Sequence, residues 1–328
     1  MSDSYFLPFQ RDLLDTVGMA LEEVQEGSTS QGILLIGESG TGKTMALDML
    51  CAHVEAMFNT PVSASPYQQL TAVCRVESDA KADAASILKE ILSKLGKPYR
   101  AGTRATLAQL ETDAMAALSA RKVRLLVLEE FHNTLLAGSR QLRGQAALLL
   151  KNIWNKVPQG ISTSWVRPGS SEDTRLVMVV SGTEELLPVF EKDAELSSRF
   201  NTMLSAPRIR LYPAADFQLF RQVARNMCRR YDIEALLDVA KDDALAVRLY
   251  FASEGHLRVL NDLLLRCRTL HKREQHKGAG AIEILANAHS NTLHKGTSKD
   301  NNPFLWSDPD LNRRAVERID ALKRKKGA

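Results

Sequence analysis

The chain has 328 residues and a formal net charge of +4, and charged residues make up 25% of it, as in ordinary globular proteins. This length suffices for a full α/β core and one smaller domain, and the mild basic excess permits nucleic-acid contact without requiring it. The four cysteines lack any Cys-x-x-Cys spacing, which argues against a zinc site and a disulfide framework. No apolar stretch is long enough to span a bilayer, so we expect a soluble cytoplasmic protein without a membrane partner.

Strand-like and helix-like stretches alternate over the first two thirds of the chain. The runs predicted as strands are "GILLIG" (32–37), "LTAVCRVES" (70–78), "VRLLVLEE" (123–130) and "RLVMVVSG" (175–182). Helical periodicity is found between them, over 44–58, 80–95, 104–120 and 141–157. This alternation predicts an α/β fold, a parallel sheet sandwiched by helices, with its ligand at the carboxyl ends of the strands.

The pattern changes after Pro213. Residues 215–230, 242–253 and 256–273 are predicted as helices, without a convincing strand among them. The stretch "HKGTSKDNNP" near residue 294 is typical of a flexible linker. We therefore predict an α/β domain over 1–212, a small helical lid domain over 213–290, and a linker with a basic tail over 291–328.

The first motif is a glycine-rich turn between the first strand and its helix. It matches the P-loop pattern, and its residues are Gly37, Glu38, Ser39, Gly40, Thr41, Gly42, Lys43 and Thr44. Glycines let backbone N–H groups curl around phosphate oxygens, and the following helix adds the positive end of its dipole. Lys43 is expected to reach the β- and γ-phosphates, and Thr44 to offer its hydroxyl to Mg²⁺. The motif predicts a nucleoside triphosphate site, with ATP and Mg²⁺ as the cofactors.

The second motif narrows the chemistry, because a P-loop alone does not distinguish a kinase, a GTPase, a motor or a switch. The run "LLVLEEFH" (125–132) is an apolar strand that ends in two acids, the Walker B arrangement. Glu130 is expected to act as the general base that polarises the attacking water. Glu129 is expected to hold Mg²⁺ where an Asp is usual, and its longer side chain predicts slow turnover.

Four further residues complete the layout of an AAA+ ATPase. The strand "RLVMVVSGTEE" ends in Ser181 and Thr183, where a hydroxyl can lie beside the γ-phosphate. Arg199, in "DAELSSRFN", follows a helix-like segment from which an arginine can reach the nucleotide of a neighbouring subunit. Arg258 lies on the first turn of the helix that Gly255 opens, from which it can reach back to the phosphates.

Two longer runs carry a family resemblance. The runs "LLVLEEFHNTLLAGSRQLRGQAALLLKNIWNKV" and "VVSGTEELLPVFEKDAELSSRF" resemble the TniB/TnsC family, AAA+ ATPases that regulate transposition and target choice in certain bacterial transposons. The most specific pieces are Walker B followed by His132 and Asn133, the "GSRQLR" turn, and "SGTEE" leading to "SSRF". The resemblance covers roughly residues 5 to 270.

The resemblance implies a nucleotide-dependent homo-oligomer, a ring or a helical filament, on double-stranded DNA in the bacterial cytoplasm. It also implies that the ATPase links a target-selection protein to a transposase, and a CRISPR-associated element is one system of this kind. Two features depart from the family pattern. Glu129 replaces the expected Asp, and the insert "PQGISTSWVRPGSSEDT" (158–174) is longer than expected before the sensor strand.

Candidate DNA contacts lie in "AGSRQLRGQ". Arg140 and Arg143 are three residues apart at a loop-to-helix junction, so both can face one side and meet successive phosphates. Lys151 follows about two helical turns later. The residue pattern alone fits a solvated helix start equally well, and the family resemblance favours DNA.

Two other classes share the ATPase residues. A helicase loader or replication initiator is the main alternative, although an initiator usually carries a dedicated DNA-reading domain, and no convincing helix-turn-helix follows the predicted lid. A secretion-associated ATPase is the second, and it would be expected to carry a membrane segment or a periplasmic module, neither of which the sequence indicates.

Overall fold

The computed structural model describes residues 7–26, 29–58, 71–80, 82–98, 105–136, 140–157, 175–274, 279–290 and 301–326. Their contacts divide the chain into two compact units. The α/β unit comprises Pro8–Ser39 and Lys43–Ala206, and the helical unit comprises Pro207–Ala328 together with Met1–Leu7 and Gly40–Gly42.

The α/β unit is built on one parallel sheet. Its strands are β1 (Gln31–Ile36), β2 (Val73–Glu77), β3 (Leu125–Glu129), β4 (Val177–Gly182) and β5 (Thr202–Ser205), in the spatial order β2-β3-β4-β1-β5. In the register, Ile36 pairs with Gly182, and Glu77 pairs with Glu129. The carboxyl ends of β1, β2, β3 and β4 therefore meet at one edge of the sheet, which is where the P-loop and Walker B residues follow their strands.

Helices flank this sheet. They are α1 (Pro8–Gln25), α2 (Lys43–Phe58), α3 (Ala84–Lys94), α4 (Leu107–Ala120), α5 (His132–Leu136), α6 (Arg140–Lys156), α7 (Leu187–Lys192) and α8 (Ala194–Arg199). The amphipathic helix α1 buries a stripe that includes Leu13, Val17 and Leu21, and it contacts β1, β4 and β5. The central strands β1, β3 and β4 are almost wholly apolar because both of their faces are covered.

The main core of this unit lies on one face of the sheet. Successive strand residues point to opposite faces, and alternate residues such as Leu34, Leu126 and Val180 pack with Ile91 of α3 and Leu149 of α6 in one buried cluster. This buried cluster fixes the register of the sheet, because a one-residue slip of a strand would turn its core-facing apolar side chains to the opposite face. The strand ends that carry polar residues are thus held in place by the apolar residues behind them.

Side-chain caps fix the starts of several helices. Asp83 caps α3 by accepting a hydrogen bond from Ser86 N at 2.8 Å, and Thr106 caps α4. Asp193 caps α8 by accepting from the backbone N–H groups of Glu195 and Leu196 at 3.2 and 3.1 Å. The cap on α8 matters for the site, because this short helix ends at Arg199.

The helical unit contains α9 (Ala214–Arg230), α10 (Asp243–Ser253), α11 (Leu257–Glu274), α12 (Ala281–Ser290) and α13 (Asp308–Lys326). Phe220 and Tyr250 meet edge to face in its core, with ring centroids 5.4 Å apart. Arg248 on α10 donates to the Trp306 carbonyl at 2.9 Å and to Asp308 Oδ1 at 2.8 Å. These bonds hold the start of α13 against α10.

The structure adds elements that the sequence patterns do not predict. They include α1, α5, β5, α12 and α13, and α13 lies within the stretch expected to be a linker and a basic tail. α13 has few apolar residues, and its anchoring contacts include Leu311, which is 2% exposed, and Arg314, whose guanidinium lies 4.4 Å from the Trp306 ring centroid. The insert 158–174 lies outside the described residues. Within the described ranges, no helix has both the length and the apolarity needed to cross a membrane.

Candidate active site

The P-loop starts at the carboxyl end of β1 and is fixed there by backbone contacts. Gly37 N donates to Gly182 O of β4 at 3.0 Å. A Cβ atom at position 37 would lie 2.4 Å from the Ala206 carbonyl oxygen, so only glycine fits. Gly40 and Gly42 have φ values of 81° and 99°, in the left-handed region that side chains disfavour. The glycines of the pattern are therefore required by close approach at position 37 and by conformation at positions 40 and 42.

Lys43 is the first residue of α2 and is buried, with 4% of its surface exposed. Its Nζ donates to the carbonyl oxygens of Gly37 and Glu38 at 2.7 and 2.9 Å. Glu130 Oε1 lies 3.9 Å from the same ammonium. The P-loop lysine and the second acid of Walker B are thus brought together, although 87 positions separate them in the sequence.

Thr44 and Glu129 are also brought together. Thr44 Oγ1 donates to Glu129 Oε1 at 2.6 Å, and the Glu129 side chain is only 2% exposed. The second carboxylate oxygen, Oε2, accepts from Arg75 Nε at 3.0 Å and from Arg75 Nη2. Arg75 Nη1 in turn pairs with Asp48 of α2. This closed network joins the start of α2 to β2 and to the end of β3.

Glu130 has an unusual backbone conformation. Its φ of 51° lies in the left-handed region, where a non-glycine residue costs about 1–3 kcal/mol. Its side chain is 26% exposed, and Oε2 lies 3.3 Å from His132 Nδ1. The residue after Glu130 is anchored to the neighbouring strand, because Phe131 N donates to Ser181 O at 2.9 Å. The surrounding structure thus holds Glu130 in a conformation that it would otherwise avoid.

The end of β3 is tied to the neighbouring strand on its other side as well. Ser78 N donates to Glu129 O at 2.8 Å, and Asn133 Nδ2 donates to Ser78 O at 2.9 Å. Asn133 N donates to Glu130 O at 2.9 Å, so both acids lie in a backbone fixed at several points. Asn133 therefore has a structural contact beside the acidic pair.

The two predicted sensor hydroxyls lie in different surroundings. Ser181 is fully buried near the end of β4, and its Oγ has no hydrogen-bond partner among the described residues. Thr183 is half-buried just after β4, and its Oγ1 lies 3.2 Å from Glu185 Oε2, to which it donates. Both residues thus lie at the sheet edge that holds the acidic pair.

Arg199 lies at the end of α8 in a cluster with Lys151. Lys151 Nζ pairs with Asp193 Oδ2 and Glu195 Oε2 at 2.8 and 2.9 Å. Hydrogen bonds to Asp193 and then to Glu195 raise the pKa of Lys151, and the hydrogen bond from Lys151 lowers that of Asp193. Arg199 pairs with Glu195 and donates to the Lys151 carbonyl at 3.2 Å. Lys151, predicted as a DNA contact, is thus engaged in ion pairs within the chain.

The position of Arg199 relative to β1 separates it from its own P-loop. A Cβ on Gly32, at the start of β1, would lie 2.7 Å from Arg199 O, whereas the P-loop follows the other end of this strand. Five residue steps along a strand span about 16 Å. The predicted contact of Arg199 with a nucleotide therefore depends on a second copy of the chain.

The remaining predicted residues lie elsewhere. Arg140 and Arg143 are in the first turn of α6, and their side chains lie outside the described part of the chain. Arg258 is in the first turn of α11 in the helical unit. Its backbone N–H donates to Gly40 O, a residue of the same unit, at 3.3 Å.

The oxygen atoms near Thr44 suit a magnesium ion. Mg²⁺ prefers hard oxygen ligands, and Thr44 Oγ1 and Glu129 Oε1 supply a hydroxyl and a carboxylate oxygen 2.6 Å apart. Glu129 Oε1 is the carboxylate oxygen that Arg75 does not contact. These two residues therefore fit the ion, despite the glutamate in place of aspartate.

Sequence reasoning missed Arg75. A signal was present, since "LTAVCRVES" is an apolar strand with one cation inside it, and a cation in a buried strand needs a partner. The identity of that partner depended on β2 lying beside β3. In this register Arg75 pairs with Val127, so Arg75 and Glu129 lie diagonally on the same face of adjacent strands.

Comparisons with known proteins agree with this geometry. A family model described as "Bacterial TniB protein" matches residues 6–164. None of the curated proteins compared with the sequence matches it. Among solved structures, the ORC2 protein of Aeropyrum pernix in its ADP form is similar with a TM-score of 0.61 at 15% identity, covering 89% of this chain and 72% of that one.

Two other solved structures have the same fold. The Aeropyrum pernix ORC1 protein in complex with DNA gives a TM-score of 0.56 at 18% identity, covering 88% of this chain and 67% of that one. CDC6P of Pyrobaculum aerophilum gives a TM-score of 0.55 at 15% identity, and the match covers 91% of this chain and 72% of that one. At such identities the likeness shows the fold alone.

The predicted fold and the predicted resemblance are both confirmed. The parallel sheet flanked by helices, followed by a helical region, is the AAA+ arrangement of these structures, and the TniB resemblance is found over residues 6–164. The chain is a P-loop ATPase with the AAA+ fold, and residues 6–164 match the TniB family.

Proposed function

We propose that this chain is an ATP-dependent, DNA-binding regulator of transposition. In this proposal it assembles as a homo-oligomer on double-stranded target DNA and links a target-selection protein to a transposase. The observation that carries the proposal is the TniB match over residues 6–164, in a chain whose Lys43 and Glu130 converge at the end of the sheet.

The residues of the P-loop would bind the triphosphate. Backbone N–H groups of the loop and the N-terminus of α2 favour anionic oxygens. Lys43 Nζ now donates to two loop carbonyls, and its donors would turn to the β- and γ-phosphates of ATP. Because Lys43 is buried, its charge is poorly screened and its contact with a phosphate is correspondingly strong.

Glu130 would then act as the general base. Its carboxylate lies 3.9 Å from Lys43 Nζ and is one quarter exposed, so a water molecule can reach it. Glu130 would accept the proton from this water as the oxygen attacks the γ-phosphorus and the bond to the leaving ADP oxygen breaks. Ser181 and Thr183 would contact the phosphate end of the nucleotide from the end of β4.

Thr44 and Glu129 would hold Mg²⁺, which neutralises phosphate charge when it is bound. Glu129 has both carboxylate oxygens engaged in hydrogen bonds, and the bond from Thr44 is the one that metal binding would change. The hydroxyl would present its oxygen to the metal, so its proton would turn away from Glu129. This rearrangement and the longer side chain support the expectation of slow, switch-like turnover.

The proposed assembly uses Arg199 in trans. Its place near the start of β1 supports a contact with the nucleotide of an adjacent subunit rather than its own. Arg140 and Arg143 would contact DNA phosphates from the first turn of α6, and Arg258 would contact the nucleotide from the helical unit. The solved ORC1 protein in complex with DNA shows that one protein with this fold binds DNA.

Replication initiation is the competing function. The ORC1, ORC2 and CDC6P structures share the fold with this chain, but identities of 15–18% do not transfer their function. The TniB match covers the P-loop, Walker B and the start of α6, and it favours transposition.

The experiment separates nucleotide binding from hydrolysis and from assembly. Lys43→Ala is expected to remain folded but to lose ATP affinity, because the triphosphate loses the ammonium proposed to bind its β- and γ-phosphates. Glu130→Gln is expected to bind ATP, to lose about 10²–10⁴-fold in turnover, and to stabilise the DNA-bound assembly. Nucleotide titration, phosphate release, and negative-stain imaging with duplex DNA measure the three properties.

Lys192→Ala and Glu191→Gln are the matched controls, because both residues are exposed on α7. They should behave as the wild type. A wild-type chain that binds no ATP, or that assembles on DNA equally well without nucleotide, would overturn the proposal. ATP-dependent loading of a replicative helicase, with no binding of a transposase, would favour the initiator alternative.

A further inference from the structure

Arg75 makes contacts that the ATPase mechanism above does not use. It lies on β2, and its guanidinium donates through Nε and Nη2 to one oxygen of Glu129, the predicted metal-binding acid. Its third nitrogen pairs with Asp48, one helical turn after Thr44 on α2. Arg75 therefore joins both elements that carry the proposed Mg²⁺ ligands.

The surroundings make this pairing strong. The Arg75 side chain is 25% exposed and that of Glu129 is 2% exposed, so water competes little for the bond between them. Burial alone would lower the pKa of Arg75, but hydrogen bonds to Asp48 and Glu129 and the charges of both carboxylates raise it above its usual value. An arginine guanidinium stays protonated in folded proteins, so Arg75 keeps its charge beside Glu129.

The pairing leaves Glu129 with one defined orientation. A glutamate has one more rotatable bond than the aspartate usual at this position, so its carboxylate would otherwise sample more positions. Two N–H groups hold Oε2, and Oε1 is consequently directed to Thr44 Oγ1 at 2.6 Å. The planar fork of arginine suits this task because its donors are fixed relative to one another.

We propose that Arg75 is a positioning residue that directs Glu129 Oε1 toward the metal position beside Thr44. It compensates for the longer side chain of glutamate, and it acts only through Glu129. This inference rests on the proposed ATPase site, since it concerns how that site retains Mg²⁺.

Arg75 has two opposing effects on Mg²⁺ affinity, and an experiment can distinguish them. A positive charge next to Glu129 repels a divalent cation, so removing the charge would tighten Mg²⁺ binding if electrostatic repulsion dominated. Loss of orientation would weaken Mg²⁺ binding instead, since groups that orient metal ligands typically contribute 10–100-fold to metal affinity. The sign of the change therefore distinguishes the two effects.

The experiment measures the affinity of a fluorescent ATP analogue over a range of Mg²⁺ concentrations and in EDTA. Arg75→Gln should raise the Mg²⁺ concentration for half-maximal nucleotide binding by about tenfold or more, with affinity in EDTA unchanged. Arg75→Lys, which keeps the charge but lacks the fork, should restore only part of the effect. In a Glu129→Gln background, Arg75→Gln should have no further effect on Mg²⁺ dependence.

Arg221→Gln is the matched control, because Arg221 is also largely buried and paired with a carboxylate, Asp243, in the helical unit. It should leave the Mg²⁺ dependence unchanged. Thermal unfolding identifies variants that fail to fold. If Arg75→Gln is one of them, the Mg²⁺ dependence of Arg75→Lys is compared with that of the wild type instead. Unchanged or tighter Mg²⁺ binding in Arg75→Gln, or an undiminished effect in the Glu129→Gln background, overturns the positioning role. Failure of the wild type to bind nucleotide would instead refute the proposed function.

Discussion

A side chain has no room at residue 37, although this position looks like any other glycine of a flexible loop. The Ala206 carbonyl oxygen would lie 2.4 Å from a Cβ there, and Ala206 N is itself bonded to Ile36 O at 2.7 Å. The carbonyl cannot move away without breaking the pairing between the end of β1 and the segment after β5. Position 37 is thus constrained by the packing of the sheet as well as by any bound phosphate.

This constraint predicts a stability effect that needs no nucleotide. Gly37→Ala should destabilise the α/β unit by about 1–3 kcal/mol, because the methyl group overlaps fixed backbone. Gly18→Ala is the matched control: position 18 lies inside α1 with nothing within 4 Å of a Cβ. That change should stabilise the protein by about 0.5–1 kcal/mol, since alanine favours a helix over glycine. Urea unfolding without nucleotide measures both, and equal effects of the two changes would refute the packing argument.

The candidate residues whose proximity the sequence could predict are those whose positions follow from local spacing. Lys43 and Thr44 belong to one contiguous motif, and Glu129 and Glu130 end one apolar strand, so their convergence followed from parallel-sheet topology. Arg75 could not be assigned in this way, because its partner depends on which strands are adjacent. The ion pairs of Lys151 likewise depend on α8 lying beside α6, which spacing along α6 does not encode.

At the scale of elements, the sequence predicted the helices with strong apolar periodicity and missed elements whose periodicity is weak. Helices predicted over 215–230, 242–253 and 256–273 are found as α9, α10 and α11, within a residue or two at each end. β5 was missed because it is four residues long and alternately exposed. α13 was missed because its sequence is mostly charged, and its helix is anchored by tertiary contacts such as Arg248 with Asp308.

Helix α6 is the element on which the proposed DNA contact depends. It begins at Arg140, so Arg140 and Arg143 are in its first turn, three residues apart and on neighbouring positions of the helix surface. The N-terminus of a helix also favours phosphate through its free N–H groups. Both features concern the DNA backbone and carry no base sequence information.

We therefore expect Arg140→Gln combined with Arg143→Gln to weaken duplex binding equally for different sequences. The slope of log affinity against log salt concentration should fall by about 2, one for each arginine that no longer meets a phosphate. Arg225→Gln combined with Arg229→Gln changes the net charge equally, at two arginines that both pair with Glu234 on the helical unit. This control should leave the slope unchanged. An unaltered slope in the α6 variant would move the DNA contact elsewhere on the chain.

At the scale of the whole molecule, the proposed role of Arg199 in trans would leave a single copy an incomplete enzyme. Arg199 lies near the start of β1, pairs with Glu195 and stacks 5.8 Å from the Trp154 ring centroid. To serve a neighbouring nucleotide it must exchange its bond with Glu195 for one with phosphate. Assembly and hydrolysis would then depend on the same side chain.

Mixing two inactive variants tests this dependence. Arg199→Ala should bind ATP normally but lose assembly and about 10³–10⁵-fold in turnover, the range for arginine fingers supplied in trans. Lys43→Ala should bind no nucleotide but should retain an intact Arg199. Mixed interfaces pair an intact P-loop with an intact Arg199, so the mixture should regain part of the ATPase activity. An inactive mixture, together with normal assembly of Arg199→Ala alone on DNA, would show that Arg199 has only its local contacts.

Because Glu130 has a left-handed backbone, the residue that would best stabilise the fold at position 130 differs from the residue that the proposed mechanism needs. At a φ of 51°, glycine or asparagine would relieve strain, so a search for thermostable variants would favour replacing this glutamate. Each such replacement would remove the proposed base and leave a more stable protein that binds nucleotide without turning it over. Tolerance of substitution at position 130 should therefore differ sharply between a screen for folding and a screen for ATPase activity.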